Sequence, residues 1–410
     1  MEEKKNRKKH KKRILIVEII ILLCLIGCGY LYSVMTAKRP VAPAVLQKKQ
    51  LTESVSAQNV DKENSDIKLE PVYKTILLVG LDVRNQAQMD YSNSDTMIIA
   101  SVDEVSGNIR MASIYRDTLL NINTRQGDPM IESIKNGGDG STDIGRYDKA
   151  NAAYANGGIE QLKGMIDNNL DIPIDEYFIV NFSAVADVVD ALGGIDVWMT
   201  KQEVIHMNNY CVETSNVTGK EYTPIEPDEE AHDYHLNGVQ AVSYARIRYT
   251  KGNDMKRTQR QRVVINKILE EARKQPFAAI QTAITDILPN CRTSMSISDI
   301  LSYAANMEYY QIEKTTGFPF EHIERHCSPN GEMIDPVVPV TLRNNVKELH
   351  QFFYEDDEYV PTTLTEWISK GIEEITGLTE YDMEAAKENS VIENAGGEAD
   401  LVDEKEYKAD

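Results

Sequence analysis

The stretch EYFIVNFSAVADVVDALGGIDVWM, residues 176–199, decides the fold class by its changes of periodicity. EYFIVNF is a short apolar run typical of a buried strand, SAVADVVDAL places apolar residues at helical spacing, and GGIDVWM reads again as a strand. Residues 148–170, just upstream, predict a further helix. Strands that alternate with helices predict an α/β domain with a layered mixed β-sheet flanked by helices.

Upstream segments predict more strands and place charged side chains at their ends. KTILLVGLD is an apolar run broken by a glycine, which predicts a buried strand with Asp82 and Arg84 at its carboxyl end. Residues 94–118 predict a hairpin, in which two apolar runs are joined through DEVSGN. The ends of this hairpin present Asp95 and Arg116.

The charge of the chain changes sharply along its length. The 410 residues have a formal net charge of -21, yet residues 1–13 hold eight Lys or Arg and two Glu, so this segment carries +6 and the rest -27. Residues 14–36 are apolar except for Glu18, and such a run is long enough to cross a bilayer. The positive-inside rule keeps the basic segment cytoplasmic. We therefore expect a single-pass protein of the cell membrane, with the remaining chain extracellular.

Two alternatives to this transmembrane anchor remain. A cleaved signal peptide is disfavoured, because no convincing small-residue cleavage site follows the apolar run. The sequence LIGC, which ends at Cys28, is similar to a lipobox. Lipidation of this cysteine would also leave the domain outside the cell, on the membrane.

The rest of the chain divides by composition. Residues 37–70 are polar and aperiodic, which predicts an extracellular linker. Residues 71–275 hold the α/β pattern, with an irregular insertion expected at 200–236, and residues 276–376 predict a C-terminal helical extension. Residues 377–410 are acidic and contain few aromatic side chains, so we expect a disordered tail.

SYARIRYTKGNDMKRTQRQRVV, residues 243–264, concentrates seven Lys or Arg and one acid in this acidic chain. Alternation in its first part predicts a strand that presents Arg246 and Arg248 on the same face. Two guanidinium groups would then lie side by side.

The second part of this cationic stretch predicts a helix. Asp254 occupies a typical N-cap position, and Arg257 and Gln261 follow on the same helical face. This face continues into Val264 and Ile265, so it is expected to point toward the core.

Arginine pairs and helix amino termini are groups with which proteins bind phosphate. Burying three cations together is costly without an anion, so Arg246, Arg248 and Arg257 predict ligand contacts. The other cations of the stretch lie off the apolar stripe and are interpreted as a solvated basic face: Lys251, Arg260 and Arg262.

Other side chains would complete a diphosphate site. Asp82 and Asp95 offer the hard oxygen ligands that Mg²⁺ uses when it bridges phosphates, with Mn²⁺ as an alternative ion. Arg84 and Arg116 would add to the phosphate clamp. Nucleic acid is disfavoured as a partner, because the exported part of the chain is acidic and lacks a broad cationic surface.

Seven motifs follow one another along the chain: GLDVR, SDTMII, SIYRDT, KANAAY followed by GG, VNFSAVADVVDALGGIDV, LNGVQAVSYARIR and DMKRTQRQRVV. They occur in the order and spacing of the LytR-CpsA-Psr family, which the chain resembles over residues 73–272. The arrangement of basic segment, anchor and tether is also similar, and PVVPVTLRNNVKELHQFFY resembles the carboxyl region of some members.

This resemblance implies a magnesium-dependent phosphotransferase of Gram-positive cell envelopes, whose catalytic domain is residues 71–275. Such an enzyme takes a glycopolymer, such as teichoic acid or capsule, from a polyprenyl-pyrophosphate carrier and joins it to peptidoglycan by a phosphodiester. An apolar tunnel between sheet and helices would hold the lipid.

The resemblance also implies roles for matching residues. Asp82 and Asp95 would bind the metal, and Asp254 would orient Arg257 or help to deprotonate the acceptor hydroxyl, with Arg116 also catalytic. The pyrophosphate would contact Arg84, Arg116, Arg246, Arg248, Arg257, Gln261, Lys149 and Asn151.

Two positions depart from the family pattern. Tyr115 stands where many relatives have proline, and Asn93 stands where they often have a basic residue, so one phosphate contact is in doubt. Two other functions use the same site: a polyprenyl-pyrophosphate hydrolase, with water as acceptor, and a non-catalytic envelope protein that binds the lipid or polymer.

Overall fold

The structure is a computed structural model. It describes residues 70–83, 89, 92–122, 147–248 and 253–387, without the side chains of 253 and 254. The basic segment, the expected anchor, most of the linker, Arg84 and the end of the acidic tail lie outside the described residues. Within the part of the chain that the structure describes, no helix is both long and apolar enough to span a membrane.

A mixed six-stranded sheet forms the centre of the molecule, in the order β10-β3-β2-β1-β6-β9. β1 pairs antiparallel with β2 and parallel with β6, and β3 pairs antiparallel with β2 and parallel with β10. The six strands are β1 (Tyr73–Leu81), β2 (Ser94–Asp103), β3 (Asn108–Ile114), β6 (Glu176–Asn181), β9 (Arg292–Thr293) and β10 (Gln311–Phe318). The expected mixed sheet and the β2–β3 hairpin are confirmed.

Three small two-stranded sheets complete the β-structure of the described residues. They pair β4 (Leu119–Asn121) with β5 (Tyr147–Lys149), β7 (Ile195–Met199) with β8 (His232–Leu236), and β11 (His322–Glu324) with β12 (Val337–Pro339). Each of these pairs is antiparallel.

The helices lie on both faces of the sheet. In chain order they are α1 (Ala152–Leu170), α2 (Phe182–Ala191), α3 (Lys201–Thr218), α4 (Gly238–Ala245), α5 (Asn253–Lys274), α6 (Phe277–Ile287), α7 (Ile297–Ala305), α8 (Leu342–Tyr354) and α9 (Thr363–Thr376). Helices α1, α2 and α5 match the sequence prediction.

Alternation along β1 separates the two layers. Leu77 and Val79 are fully buried in the main core, together with side chains of α1, α8 and α9. Leu78 faces the opposite side, where Ile98 packs with Ile265 of α5. The central sheet therefore separates a closed core from a face covered by α2, α5 and α6, and this second face carries the candidate site.

The main core also extends past residue 376. Leu378 and Ala386 are buried in the same cluster as α8 and α9. The packed chain therefore continues into the segment expected to be a disordered tail.

A smaller core joins the β7–β8 hairpin to α3, α4 and α5. It contains Val197, Met207, Leu236 and Val264, all buried. Residues 200–236 were expected to be irregular, and this was wrong for α3 and β8. Among the described residues of this region, only Thr200 and residues 219–231 lack a regular element.

The strand prediction for the first part of the cationic stretch was also wrong, because residues 243–245 belong to α4 and residues 246–248 form no regular element. Asn237 accepts from the backbone N–H of Gln240, whose side chain accepts from the N–H of Asn237, and this capping box starts the helix. Residues 238–244 are all buried. The alternation of residue types in this segment therefore does not distinguish a buried face from an exposed one. The helix ends at Ala245, and the C-cap residue that follows it, Arg246, has a φ of -98° and a ψ of -8°, which are still right-handed helical.

Candidate functional site

Two carboxylates lie where the two central strands of the sheet meet at one end, Asp82 directly after β1 and Asp95 as the second residue of β2. Leu81 of β1 pairs with Ser94 of β2, so Asp82 and Asp95 follow the paired residues on neighbouring strands. A Cβ at Gly80 would lie 2.9 Å from Thr96, so glycine allows this close approach of the strands. The structure thus places both expected metal ligands in the same region.

Three arginines converge on Asp95. Arg116 Nη1 lies 2.8 Å from Asp95 Oδ1, and Arg248 Nη2 lies 3.8 Å from the same oxygen. Arg257 Nη2 donates to the backbone oxygen of Asp95 at 3.0 Å, and the Arg257 residue is only 2% exposed. Residues from β2, from the β3–β4 and α4–α5 connections and from α5 therefore meet at Asp95.

Arg246 is held by a different set of contacts. Its Nη2 lies 3.0 Å from Glu213 Oε2 and 3.8 Å from Asp82 Oδ2, and Nη1 donates to Thr214 Oγ1 at 3.1 Å. Its guanidinium also lies over the Phe182 ring, 4.6 Å from the centroid. Stacking and ion pairing together fix its orientation.

Glu213 is a site residue that sequence reasoning missed. It lies on α3, 33 residues from Arg246 in sequence. Because α3 was interpreted as an irregular insertion, no helical face was assigned there. The spacing of buried Val204, Met207 and Cys211 was the available signal for this helix.

Lys149 and Asn151 border the same region. Lys149 Nζ lies 3.2 Å from Asp117 Oδ1, and Arg116 Nε lies 3.4 Å from the other oxygen of Asp117. Asn151 acts through its backbone: its N–H donates to the Arg116 oxygen at 2.9 Å, and its oxygen accepts from the Ser94 N–H at 3.2 Å. These bonds hold the start of α1 against the strands that carry Asp95 and Arg116.

Two expected site residues cannot be placed in full. Arg84 lies outside the described residues, and Asp254 is described only as part of the α5 backbone. Tyr115, one of the departures from the family pattern, is buried with its ring 5.7 Å from that of His322. Arg116 beside it still reaches Asp95, so the departure leaves this contact intact.

Arg260 and Arg262 are buried, so their interpretation as a solvated basic face was wrong. Arg260 Nε lies 3.0 Å from Glu203 Oε1, and Arg262 Nη1 donates to Ser113 Oγ at 2.7 Å. Burial lowers the pKa of Arg262 to about 10. Their partners lie 57 and 149 residues away in sequence, so no local pattern shows them. Lys251 lies outside the described residues.

An apolar cavity of about 410 Å³ opens beside the charged cluster. It lies between the sheet and helices α2, α5 and α6, and aliphatic side chains such as Val188, Ile268 and Ile284 line most of it. Arg246 and Gln261 line it as well, and Gln261 Oε1 is buried without a hydrogen-bond partner. The site therefore joins a cationic head region to an apolar compartment.

The surroundings of Asp82 indicate whether a cation could bind beside its carboxylate. Burial is the main cause that raises its pKa, and the charges of Asp95 and Glu213 raise it further, against Arg246 and Arg248. Among the described residues, no group of three or more His, Cys, Asp or Glu is placed to hold a metal ion. Two carboxylates completed by phosphate oxygens are nevertheless a donor set that Mg²⁺ accepts, so the pair fits an ion shared with a ligand.

Comparison with known proteins gives one family. A model described as the LytR_cpsA_psr family matches residues 43–328. The polyisoprenyl-teichoic acid–peptidoglycan teichoic acid transferase TagU of Enterococcus faecalis is 29% identical over 232 residues, which are 56% of this chain and 64% of that protein. The chain thus spans less than two thirds of that relative's length.

Two further proteins are similar over longer segments. The corresponding transferase TagV of Bacillus subtilis is 26% identical over 360 residues, 86% of this chain and 81% of that protein. A crystal structure of a Streptococcus agalactiae protein is similar with a TM-score of 0.54 at 22% identity, covering 71% of this chain and 91% of that one. The last similarity supports the fold alone.

Proposed function

Because this chain belongs to the LytR-CpsA-Psr family, we propose that it transfers a glycopolymer from a polyprenyl-pyrophosphate carrier to peptidoglycan. The product is a phosphodiester link between polymer and cell wall. The names of its relatives, transferases of polyisoprenyl-linked teichoic acid to peptidoglycan, support this reaction class.

One observation carries the proposal: four arginines surround two carboxylates at one end of a large apolar cavity. Arg246 belongs to both parts, because it pairs with Asp82 and also lines the cavity. A ligand with a doubly charged phosphate head and a long apolar tail matches this arrangement. A polyprenyl pyrophosphate has both features.

The chain's own residues act mainly by positioning and charge stabilisation. The acceptor hydroxyl oxygen attacks the sugar-proximal phosphorus, a new P–O bond forms, and the bond to the bridging oxygen breaks in line with it. Arg116, Arg248 and Arg257 neutralise the charge that develops on the phosphate oxygens, and the lipid phosphate leaves. Asp254, at the start of α5, accepts the hydroxyl proton or orients Arg257.

We propose Asp82 and Asp95 as the carboxylates that hold Mg²⁺ or Mn²⁺. A divalent cation supplies charge neutralisation to phosphate oxygens. The ion pairs of Asp95 with Arg116 and Arg248 offset part of the positive charge of these arginines before the ligand binds, and the arginines would then exchange part of this pairing for phosphate.

We also propose that residues 14–36 anchor the protein in the cell membrane, with the catalytic domain outside. The basic segment before the apolar run supports this orientation. A membrane-impermeant protease applied to intact cells should digest the domain and leave a short anchored fragment. Protection of the domain would contradict this topology.

The test of the function uses a synthetic polyprenyl-pyrophosphate saccharide, peptidoglycan fragments and Mg²⁺, with mass spectrometry of the products. We expect a phosphodiester-linked conjugate that is lost with chelator and falls at least 100-fold in Arg257→Ala, because a preorganised charge donor contributes about that much. Lys274→Ala, an exposed cation on the same helix paired with Glu271, is the matched control and should not change the rate.

The two alternatives give different products. Free sugar phosphate without a conjugate would indicate hydrolysis, with water as acceptor. Tight binding of an unchanged donor would indicate a non-catalytic carrier or sensor. Either result would contradict the transferase proposal.

A further inference from the structure

A second pocket, of about 160 Å³, lies on a different flank of α5 from the apolar cavity. Its lining includes Trp198 and Asp233 of the β7–β8 hairpin, Glu203 of α3, and Lys256, Gln259 and Arg260 of α5. The apolar cavity shares none of these six residues. The pocket is therefore separate from the proposed lipid compartment.

The floor of the pocket is a satisfied ion pair. Glu203 Oε1 lies 3.0 Å from Arg260 Nε, and Glu203 Oε2 accepts from the N–H and hydroxyl of Thr200 at 3.0 and 3.2 Å. The side chains of Glu203 and Arg260 are only 9% and 6% exposed. Such a floor is rigid, because both groups are buried and already paired.

The wall of the pocket includes an aromatic ring with much of its surface in water. β7 alternates buried and exposed residues, and Trp198 is an outward-facing residue that is 52% exposed. In the hairpin register it lies opposite Asp233, which is also exposed. A large apolar face therefore stands beside a hydrogen-bond acceptor.

The polar groups of the pocket are of mixed type. Lys256 and Lys267 donate, Asp233 accepts, and the amide of Gln259 does both. A phosphate group favours donors alone and would be repelled by Asp233, whereas a metal ion would be repelled by Lys256. Sugar hydroxyls both donate and accept, and the apolar face of a sugar ring can stack on an indole.

We propose that this pocket binds one sugar ring of the glycan acceptor, with Trp198 as the stacking surface. Its volume corresponds to about five water molecules, which suits one ring rather than a longer segment. That the bound glycan is the acceptor rests on the proposed function. That the pocket binds a saccharide does not depend on it.

The position of the pocket suits an acceptor. Lys256 and Arg257 are consecutive on α5, and consecutive residues of a helix point about 100° apart. The same helix therefore presents one cation, Lys256, to the pocket and the following cation, Arg257, to the phosphate site. A glycan bound in this pocket would therefore contact α5 one residue away from the arginine proposed to bind phosphate.

The test is isothermal titration calorimetry of the full chain in detergent. The probe is a tetrasaccharide of alternating N-acetylglucosamine and N-acetylmuramic acid. We expect saturable binding that weakens at least tenfold in Trp198→Ala and stays within threefold in Trp198→Phe, which keeps an aromatic face. Ile297→Ala, which removes another exposed apolar side chain on α7, is the control and should bind like wild type.

Thermal melting of each variant separates loss of binding from loss of fold. No saturable binding by wild type, or equal binding by folded Trp198→Ala, would overturn the proposal. A glycerol phosphate oligomer that binds this pocket in place of the tetrasaccharide would overturn it too. Because calorimetry needs no turnover, these outcomes are distinct from failure of the transfer reaction.

A kinetic arm assigns the saccharide to the acceptor. We expect Trp198→Ala to raise the KM for peptidoglycan fragments about tenfold and to leave the KM for the lipid donor unchanged. A change confined to the donor KM would contradict the acceptor assignment.

Discussion

Asp82 and Asp95 are neighbours with different surroundings. Asp95 lies within 4 Å of the guanidinium groups of Arg116 and Arg248, and Arg257 donates to its backbone oxygen. Asp82 has Arg246 at 3.8 Å, and burial raises its pKa. Asp82 is therefore the carboxylate that gains more from an added cation.

We expect Asp82→Asn to raise the free energy of unfolding of the metal-free protein at pH 7. The gain should be about 1 kcal/mol or less, because the side chain is 44% exposed and solvent screens its charge. The native carboxyl has the higher pKa, so the wild type loses stability as the pH rises from about 3.9, the ordinary value, through the raised native value. The advantage of the variant should be complete above that window and absent below it.

Urea unfolding of both proteins at pH 7 and at pH 3 measures this difference. Asp286→Asn, an exposed acid on α6, is the matched control and should show no comparable gain. A variant that is less stable than wild type at pH 7 would show that ionised Asp82 stabilises the fold.

Local patterns could predict only part of the site. Strand ends placed Asp82 and Asp95 correctly, and helical spacing placed Arg257 on the inward face of α5. Glu213 and the burial of Arg260 could not be found in this way, because each depends on α3 packing against a distant segment. The hydrophobic periodicity of a sequence indicates which face of an element is apolar, but it does not identify the segment that packs against that face.

At the scale of elements, α5 is attached to α3 by the buried pair of Arg260 and Glu203. We expect Arg260→Met to cost about 3 kcal/mol of stability, because it leaves the Glu203 carboxylate buried without its cation. The double variant Arg260→Met, Glu203→Gln should recover more than half of that loss. Urea unfolding of the two single variants and the double variant measures the coupling, and additive losses would contradict it.

Helix α6 covers the apolar cavity, so its side chains should limit the length of the lipid. Ile284 lines this cavity, and we expect Ile284→Trp to raise the KM for a long-chain polyprenyl donor about tenfold. A donor with a short chain should be affected less than twofold. Steady-state kinetics with the two donors tests this, with Ala278→Trp on the exposed face of α6 as control. Equal effects on both donors would argue against lipid in the cavity.

Elements differed in how well the sequence predicted them. The β2–β3 hairpin has two apolar runs and a turn in which Gly107 has a φ of +80°. Its strand pattern and its turn residue therefore both indicate a hairpin. α4 is short and buried, and a short apolar run does not distinguish a strand from a helix. Its capping box was the stronger local signal and favoured the helix.

At the scale of the molecule, the described part of the tail, residues 377–387, packs against the main core. We expect removal of residues 388–410 to leave the melting temperature and the transfer rate unchanged. Truncation after Thr376 should cost at least about 2 kcal/mol, because it removes buried Leu378 and Ala386 from the main core. Calorimetric melting of both truncations measures this, and equal stability would show that the segment adds nothing to the core.

The parallel pairing of β3 with β10 has a consequence for biogenesis. β3 is complete at residue 114, yet its outer partner begins only at Gln311, almost two hundred residues later in the order of synthesis. Until that strand arrives, β3 exposes an unpaired edge, and such edges recruit other chains. Translation that stops early should therefore yield aggregates rather than a smaller folded protein, and a cell that makes this protein depends on completing each chain.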